Sequence, residues 1–267
     1  MKKGLLFFHQ GVTDIINCLP LINHYLKSYD KIAVLLRDDL KELFNYYIAD
    51  KPNVKGAFFQ KSDLDFNFIN VLNKFSVEEY DFLFHGHIDS YRQPGDPYRE
   101  VFGRSYNPQC DHFVKIFYTA YNIPYETRIN NFEYKRNIEH ENEVYEKFIS
   151  KYGSRYALYH DNTQPGNSYC KIDLPRQDDI THINLNQITP NIFEMLKVIE
   201  CSIGDIHVID SSWGSFLYLQ DCKTGILKNR NVYLYPFQAD CRSGGCLFGK
   251  YDMIIEPNHP RNWTISS

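Results

Sequence analysis

The feature that most constrains this chain is a rhythm of short apolar runs alternating with segments that start or sustain helices. Gly4–Phe8 is one such run, ended by His9-Gln10-Gly11, and a helical pattern begins near Thr13, with Ile16, Leu19, Leu21, Ile22 and Leu26 at mixed three- and four-residue spacing. Lys31–Leu36 repeats the strand, and Asp38 and Asp39 then open a helix that carries Leu40, Leu43, Phe44 and Tyr47 along one side. Val54–Phe59 and Tyr80–Phe84 read as two further strands, with a helix over Phe66–Phe75 between them. Such alternation predicts a parallel sheet whose right-handed crossovers cover both faces.

The second half restarts the pattern. Tyr156–Tyr159, Ile180–Leu185, Ile206–Ile209 and Val232–Tyr235 are predicted strands, and helices are predicted over Glu141–Tyr152, Pro190–Cys201 and Ser212–Leu219. Asn130–Glu143 is charged and asparagine-rich with little apolar period, which predicts a linker over 131–149. The expected organisation is a first α/β domain over 1–130, a second over 150–250 and a C-terminal tail over 251–267. A length of 267 residues suits one large or two small domains.

Composition removes several classes. Hydrophobic residues make up 43% and charged residues 23%, which is globular and excludes a disordered scaffold. Lysine plus arginine total 29 against 33 acids, a net charge of −4, so the general basic field that nucleic-acid binding relies on is missing. The apolar run after Met1-Lys2-Lys3 is interrupted by His9, Gln10 and Asp14, too short for a secretory leader or a membrane span. A cytoplasmic protein with no integral membrane segment is expected. The seven cysteines show no metal-type pairing and read as free thiols, with Cys241 and Cys246 close enough in sequence to bridge in an oxidising compartment.

Five segments place polar chemistry at the carboxyl ends of predicted strands, the edge where ligands bind in open α/β sheets. Gly11-Val12-Thr13-Asp14 puts a turn and a carboxylate after the first strand, and Asp14 there either complements the helix dipole or faces a ligand. Asp210-Ser211-Ser212, with Gly214 beyond, offers an N-capped helix start that favours an anion. His160 and Asn162, in Tyr159-His160-Asp161-Asn162-Thr163, serve either ligand contact or loop anchoring, as do Asn184 and Asn186 at another strand end. The polar stretch His85–Gln109, long for a connector, carries His85, His87, Arg92, Arg99 and Arg104.

Gly11-Val12-Thr13-Asp14 followed by Leu19-Pro20, the Glu79–Phe84 strand, the Asp111–Pro124 helix and turn, and Ile206–Ser212 together resemble the GT-B glycosyltransferases, and among them the ADP-heptose:lipopolysaccharide heptosyltransferases of glycosyltransferase family 9. The resemblance implies an α/β fold of two Rossmann-like domains facing a central cleft. It implies an inverting, metal-independent transfer of sugar from a nucleotide-sugar donor to a glycan or other hydroxyl acceptor, with no cofactor and Asp14 as general base. Donor and diphosphate contacts fall on Gly11, Thr13, His160, Asn162, Lys171, Asn184, Asp210, Ser211, Ser212 and Ser215. The acceptor side falls on His85, His87, Arg92, Arg99 and Arg104, whose arginines suit an acidic or phosphorylated acceptor. Thr13 stands where the family has glycine, and Ser215 where it has histidine. Arg155 or Arg176 could take the place assigned to Lys171.

Competing readings are a nucleotide-sugar epimerase or hydrolase of the same fold and a silent glycan- or nucleotide-binding module. A zinc hydrolase using His85, His87 and Asp89 is a third, although Ser90 stands where that motif needs another histidine. Gly244–Lys250 approaches a phosphate-binding loop but continues into Tyr251. Asp63-Leu64-Asp65 reads as a helix start.

Overall fold

The computed structural model describes residues 1–8, 11–60, 79–85, 114, 117, 118, 121–161, 172, 174, 179–189, 191–209, 211–235 and 262–265, and of residues 82, 84, 85 and 265 the backbone only. The chain divides into two compact units, Met1–Lys135 and Arg136–Ser267.

The first unit is built on four parallel strands, β1 (Lys3–Phe8), β2 (Lys31–Arg37), β3 (Val54–Phe59) and β4 (Asp81–His85), in the order β3-β2-β1-β4. The central pair is buried along almost its whole length, from Leu5 to Phe8 and from Ile32 to Leu36. Continuous rather than alternating burial is what a parallel sheet covered on both faces requires. Gly4 lies against β4 so closely that a Cβ there would stand 2.2 Å from Leu83 Cδ1.

The single helix expected from Thr13 to Leu26 is two short ones, α1 (Val12–Cys18) and α2 (Pro20–Tyr25). Pro20 has no N–H to give the carbonyl one turn back, so the helix breaks at Leu19. α3 (Lys41–Tyr47) follows β2, and α4 (Thr127–Asn130) packs against α2. The unit is stitched shut by Asn23, whose amide donates to the carbonyls of Asn131 at 2.8 Å and Glu133 at 2.9 Å.

The second unit has five parallel strands, β5 (Tyr156–His160), β6 (Thr181–Asn184), β7 (Ile206–Ile209), β8 (Val232–Tyr235) and β9 (Trp263–Ile265), in the order β6-β5-β7-β8-β9. Helices α5 (Ile138–Tyr152), α6 (Leu196–Cys201) and α7 (Ser212–Thr224) belong to this unit. α7 is buried without a break from Trp213 to Asp221, so it is an interior helix, apolar on every side it can afford to be. It runs five residues past the expected Leu219 and stops at Gly225, whose φ of 66° is the left-handed conformation a helix end needs and glycine adopts without strain.

Two stretches carry more regular structure than the sequence pattern showed. Within 131–149, the stretch read as a linker, Phe132 is buried in the first unit, and Asn137 accepts a hydrogen bond from the His140 N–H and starts α5 at Ile138, ahead of the expected Glu141. The stretch 251–267 is more than a tail, because Trp263–Ile265 forms β9. That strand is held through side chains: the Trp263 indole N–H donates to Asp221 Oδ2 at 2.9 Å, while Asp221 Oδ1 takes the Leu227 N–H at 2.7 Å. The predicted helix over Phe66–Phe75 lies outside the described residues, as does most of the one before Tyr121.

The Trp263–Asp221 bond yields a prediction. Trp263→Phe removes the donor and leaves a buried carboxylate oxygen short of a partner, at a cost of about 1–3 kcal/mol. Both tryptophans, Trp213 and Trp263, lie in the second unit, so urea unfolding followed by the remaining Trp213 fluorescence reads this loss directly.

Candidate functional site

In each sheet the chain changes direction once, and the polar side chains gather there. In the first unit β2 and β3 lie on one side of β1 and β4 on the other, so the switch falls between β1 and β4. Their carboxyl ends are level, Phe7 standing in register with His85. The turn that leaves β1 carries Gly11 and Asp14. Gly11 is extended at φ −73° and ψ 179°, with open space where a Cβ would stand, and its N–H donates to Asp14 Oδ2 at 3.2 Å. Asp14 is half-buried, and loss of solvent raises its pKa to about 7 against the opposing pull of the Gly11 amide. Thr13 is half-buried beside it, its carbonyl taking the Asn17 side-chain amide at 2.8 Å.

In the second unit β6 lies on one side of β5 and β7, β8 and β9 on the other, which puts the switch between β5 and β7. His160 ends β5 and Ser211 follows β7. The two meet, Ser211 Oγ standing 3.0 Å from His160 Nδ1. Ser211 Oγ also lies 3.2 Å from the Ile209 carbonyl and accepts the Gly214 N–H at 3.5 Å, capping α7. With the hydroxyl hydrogen given to Ile209, the ring brings its own hydrogen on Nδ1. Burial pushes the His160 pKa down to about 4, against Asp161 and a hydrogen bond with Asn186, so the imidazole is neutral at physiological pH.

The network continues outward from this pair. Asn186 Oδ1 accepts from the Trp213 indole at 3.1 Å, the Asn186 N–H donates to Asn184 Oδ1 at 3.0 Å, and Asn184 Nδ2 donates to Asp161 Oδ1 at 2.7 Å. Residues from three strand ends and one helix start are thereby fixed to one another. A polar lining of this kind, in front of the free N–H groups of a long helix, is chemically suited to hold an anion bearing hydrogen-bonding groups.

Of the residues singled out from the sequence, Gly11, Thr13 and Asp14 thus stand together at one switch point, and His160, Asn184 and Ser211 at the other. Ser212 is the first residue of α7, and Ser215, one turn on, is only 2% exposed, so its hydroxyl faces protein. His85 ends β4 with its backbone alone described. His87, Arg92, Arg99, Arg104, Asn162, Lys171 and Asp210 lie outside the described residues, as do Asp89 of the zinc reading, Asp63, Asp65, Gly244–Lys250, Cys241 and Cys246. Among the described residues no group of three or more His, Cys, Asp or Glu side chains is placed to hold a metal ion. The described cysteines Cys18, Cys201 and Cys222 form no disulfide, and no described helix is long and apolar enough to cross a membrane. Sequence reasoning did not assign Asp161 or Trp213 to the cluster. The adjacency of Asp161 to His160 was a signal for the first, whereas the second reads as an ordinary core aromatic.

The class of fold these sheets define is mixed α/β with parallel sheets. Compared with solved structures, the chain is similar in fold to a glycosyl transferase family 9 protein from Veillonella parvula DSM 2008, with a TM-score of 0.54 and 10% sequence identity over 90% of this chain and 82% of that one. It also aligns with E. coli heptosyltransferase WaaC, whose structure contains ADP-2-deoxy-2-fluoro heptose, at a TM-score of 0.45 and 10% identity over 99% of this chain and 92% of that one. The Veillonella parvula protein is described as family 9, the group that the Gly11–Asp14 and Asp210–Ser212 motifs resemble. No protein-family model matches the sequence, and neither does any curated protein.

The raised pKa of Asp14 has a consequence for stability that can be measured. An aspartate that ionises near 3.8 when unfolded but near 7 when folded binds more protons in the native state between those values, so stability falls as pH rises across that window and stays lowered above it. Asp14→Asn cannot ionise. It is expected to unfold with roughly 2 kcal/mol more stability than the wild type at pH 8, a value reduced from the full linkage because part of the carboxyl stays wet. The difference vanishes by pH 4, and denaturation curves at the two pH values check it.

Proposed function

We propose that this protein is a glycosyltransferase that moves a sugar from a nucleotide-sugar donor to a hydroxyl acceptor, inverting the anomeric centre without a metal ion. The observation that carries the reading is Asp14, a carboxyl group held near neutrality at the switch point of the first sheet. A base with a pKa near the working pH is half ionised, yet still basic enough to take a proton as the transition state forms. The family 9 likeness in fold and the Gly11–Asp14 motif support the same assignment.

In this reaction the acceptor hydroxyl gives its proton to Asp14 while its oxygen attacks the anomeric carbon. The bond to the nucleotide diphosphate breaks on the opposite side, and a single displacement of this kind inverts the centre. The departing diphosphate carries the charge that develops. α7 meets that charge with the free N–H groups and positive dipole end of a thirteen-residue helix, beside Ser211 and the neutral His160. Asn162, Asn184, Lys171, Asp210, Ser212 and Ser215 are assigned to the donor in this reading, and so are Gly11 and Thr13. His85, His87, Arg92, Arg99 and Arg104 receive a glycan or another acceptor, the arginines favouring one that is acidic. A cytoplasmic location, with access to the cytoplasmic supply of nucleotide sugars, is part of this reading.

The test is a screen of nucleotide-sugar donors against glycan acceptors, with nucleoside diphosphate release and product mass as readouts. Transfer is expected to rise with pH through a midpoint near 7 as Asp14 ionises. Asp14→Asn lowers it by roughly 100-fold or more while the affinity for nucleoside diphosphate, read from Trp213 fluorescence, is unchanged. Transfer by Asp14→Asn at the wild-type rate removes Asp14 from the reaction. Release of free sugar at the same rate with and without acceptor favours the hydrolase reading.

A further inference from the structure

Asp14 rides on a helix of seven residues that ends against Pro20. A helix so short holds too few backbone bonds to keep its own direction and must be fixed by its surroundings. One side chain does most of this. Asn17, completely buried one turn after Asp14, donates from Nδ2 to the Thr13 carbonyl at 2.8 Å and accepts at Oδ1 from Arg128 Nη1 at 3.1 Å. Its own backbone carbonyl accepts the Tyr118 hydroxyl.

Arg128 comes from α4, 111 residues further along the chain, and is only 1% exposed. Its guanidinium lies 4.5 Å from the centre of the Tyr125 ring. A charge this deep carries a large desolvation cost, and an apolar side chain of similar size would fill the same volume more cheaply. What an apolar side chain cannot supply is a directed donor to Asn17, whose amide reaches the turn carrying Asp14.

We propose that Asn17 and Arg128 are positioning residues for Asp14: the buried guanidinium fixes the Asn17 amide, and the amide fixes the first turn of α1 through the Thr13 carbonyl. That turn then aims the Asp14 carboxyl from its anchor on the Gly11 N–H. The inference rests on the reading of Asp14 as the base, and its test separates the two. In the full-length chain labelled with ¹³C-aspartate, the Asp14 carboxyl signal is assigned by its loss in Asp14→Asn and titrated by NMR. Loosening α1 wets the carboxyl, and because burial is the larger influence on it, the midpoint drops.

Asn17→Leu and Arg128→Met are expected to lower that midpoint by about one unit or more towards the ordinary value of roughly 3.9. Tyr118→Phe, which removes one hydroxyl and keeps the packing, shifts it the same way by about half a unit. Arg128→Lys keeps a buried cationic donor and restores most of the wild-type midpoint. Phe44→Leu, a core change in the same unit that touches none of these groups, loses stability and leaves the midpoint in place. Midpoints within about 0.3 unit of the wild type in Tyr118→Phe and Arg128→Met, with transfer still lost in Asp14→Asn, overturn the positioning role and leave the base standing. An Asp14 that titrates in the ordinary range, together with unimpaired transfer by Asp14→Asn, overturns both.

Discussion

In a parallel sheet all carboxyl ends point the same way, so every loop that leaves them collects along one edge. Where successive crossovers run in opposite directions, two neighbouring loops part, and the gap between them is the one place where main-chain donors are left without sheet partners. Each unit of this chain has one such gap, between β1 and β4 in the first and between β5 and β7 in the second. Strand order, which is a property of packing, thus decides where polar residues can be kept near the interior. Asp14 stands at the first gap, and His160 with Ser211 at the second.

Holding polar groups at those edges costs stability unless each finds a partner, and both units resolve this with chains of bonds. Asp161 is tied to Asn184, Asn184 to Asn186, and Asn186 to Trp213. The second unit closes on itself by a comparable device away from the edge. Arg136 bonds Glu141 of α5 through Nε at 3.0 Å and Glu200 of α6 through Nη1 at 2.6 Å. Glu141 is wholly buried, so a guanidinium with several donors is the natural partner for it. The cluster pins α5 to α6 at the residue where the second unit begins.

That cluster also shows why some of the organisation was illegible in the sequence. The strands were legible because central parallel strands are apolar along nearly their whole length, as Leu5–Phe8 and Ile32–Leu36 are and as Ile206–Ile209 is apart from His207. Asn130–Glu143 read as a linker because its residues are charged, yet Arg136 and Glu141 face each other and Asn137 caps a helix. Such partners are recognisable only once the fold has brought α5 and α6 together. Trp263–Ile265 is too short to carry a strand period, and it is a strand because the Trp263 indole reaches Asp221 across 42 residues. At the sites, the residues on strand ends were legible from their position after an apolar run. Arg128 was not, since nothing in its neighbourhood marks a lone arginine as interior.

The two edges share a physical character that follows from burial alone. Loss of solvent disfavours whichever form of a group is charged, so it raises the carboxyl of Asp14 to about 7 and lowers the imidazole of His160 to about 4. The same cause, acting on an acid and on a base, therefore moves both towards neutrality at physiological pH. In the proposed transfer the charges arrive with the reactants: the diphosphate brings negative charge to the helix start, and the acceptor proton finds a carboxyl whose ionised form was never well solvated. Proton transfer to Asp14 then relieves a desolvation that folding imposed, which is the sense in which that sheet edge is prepared for reaction.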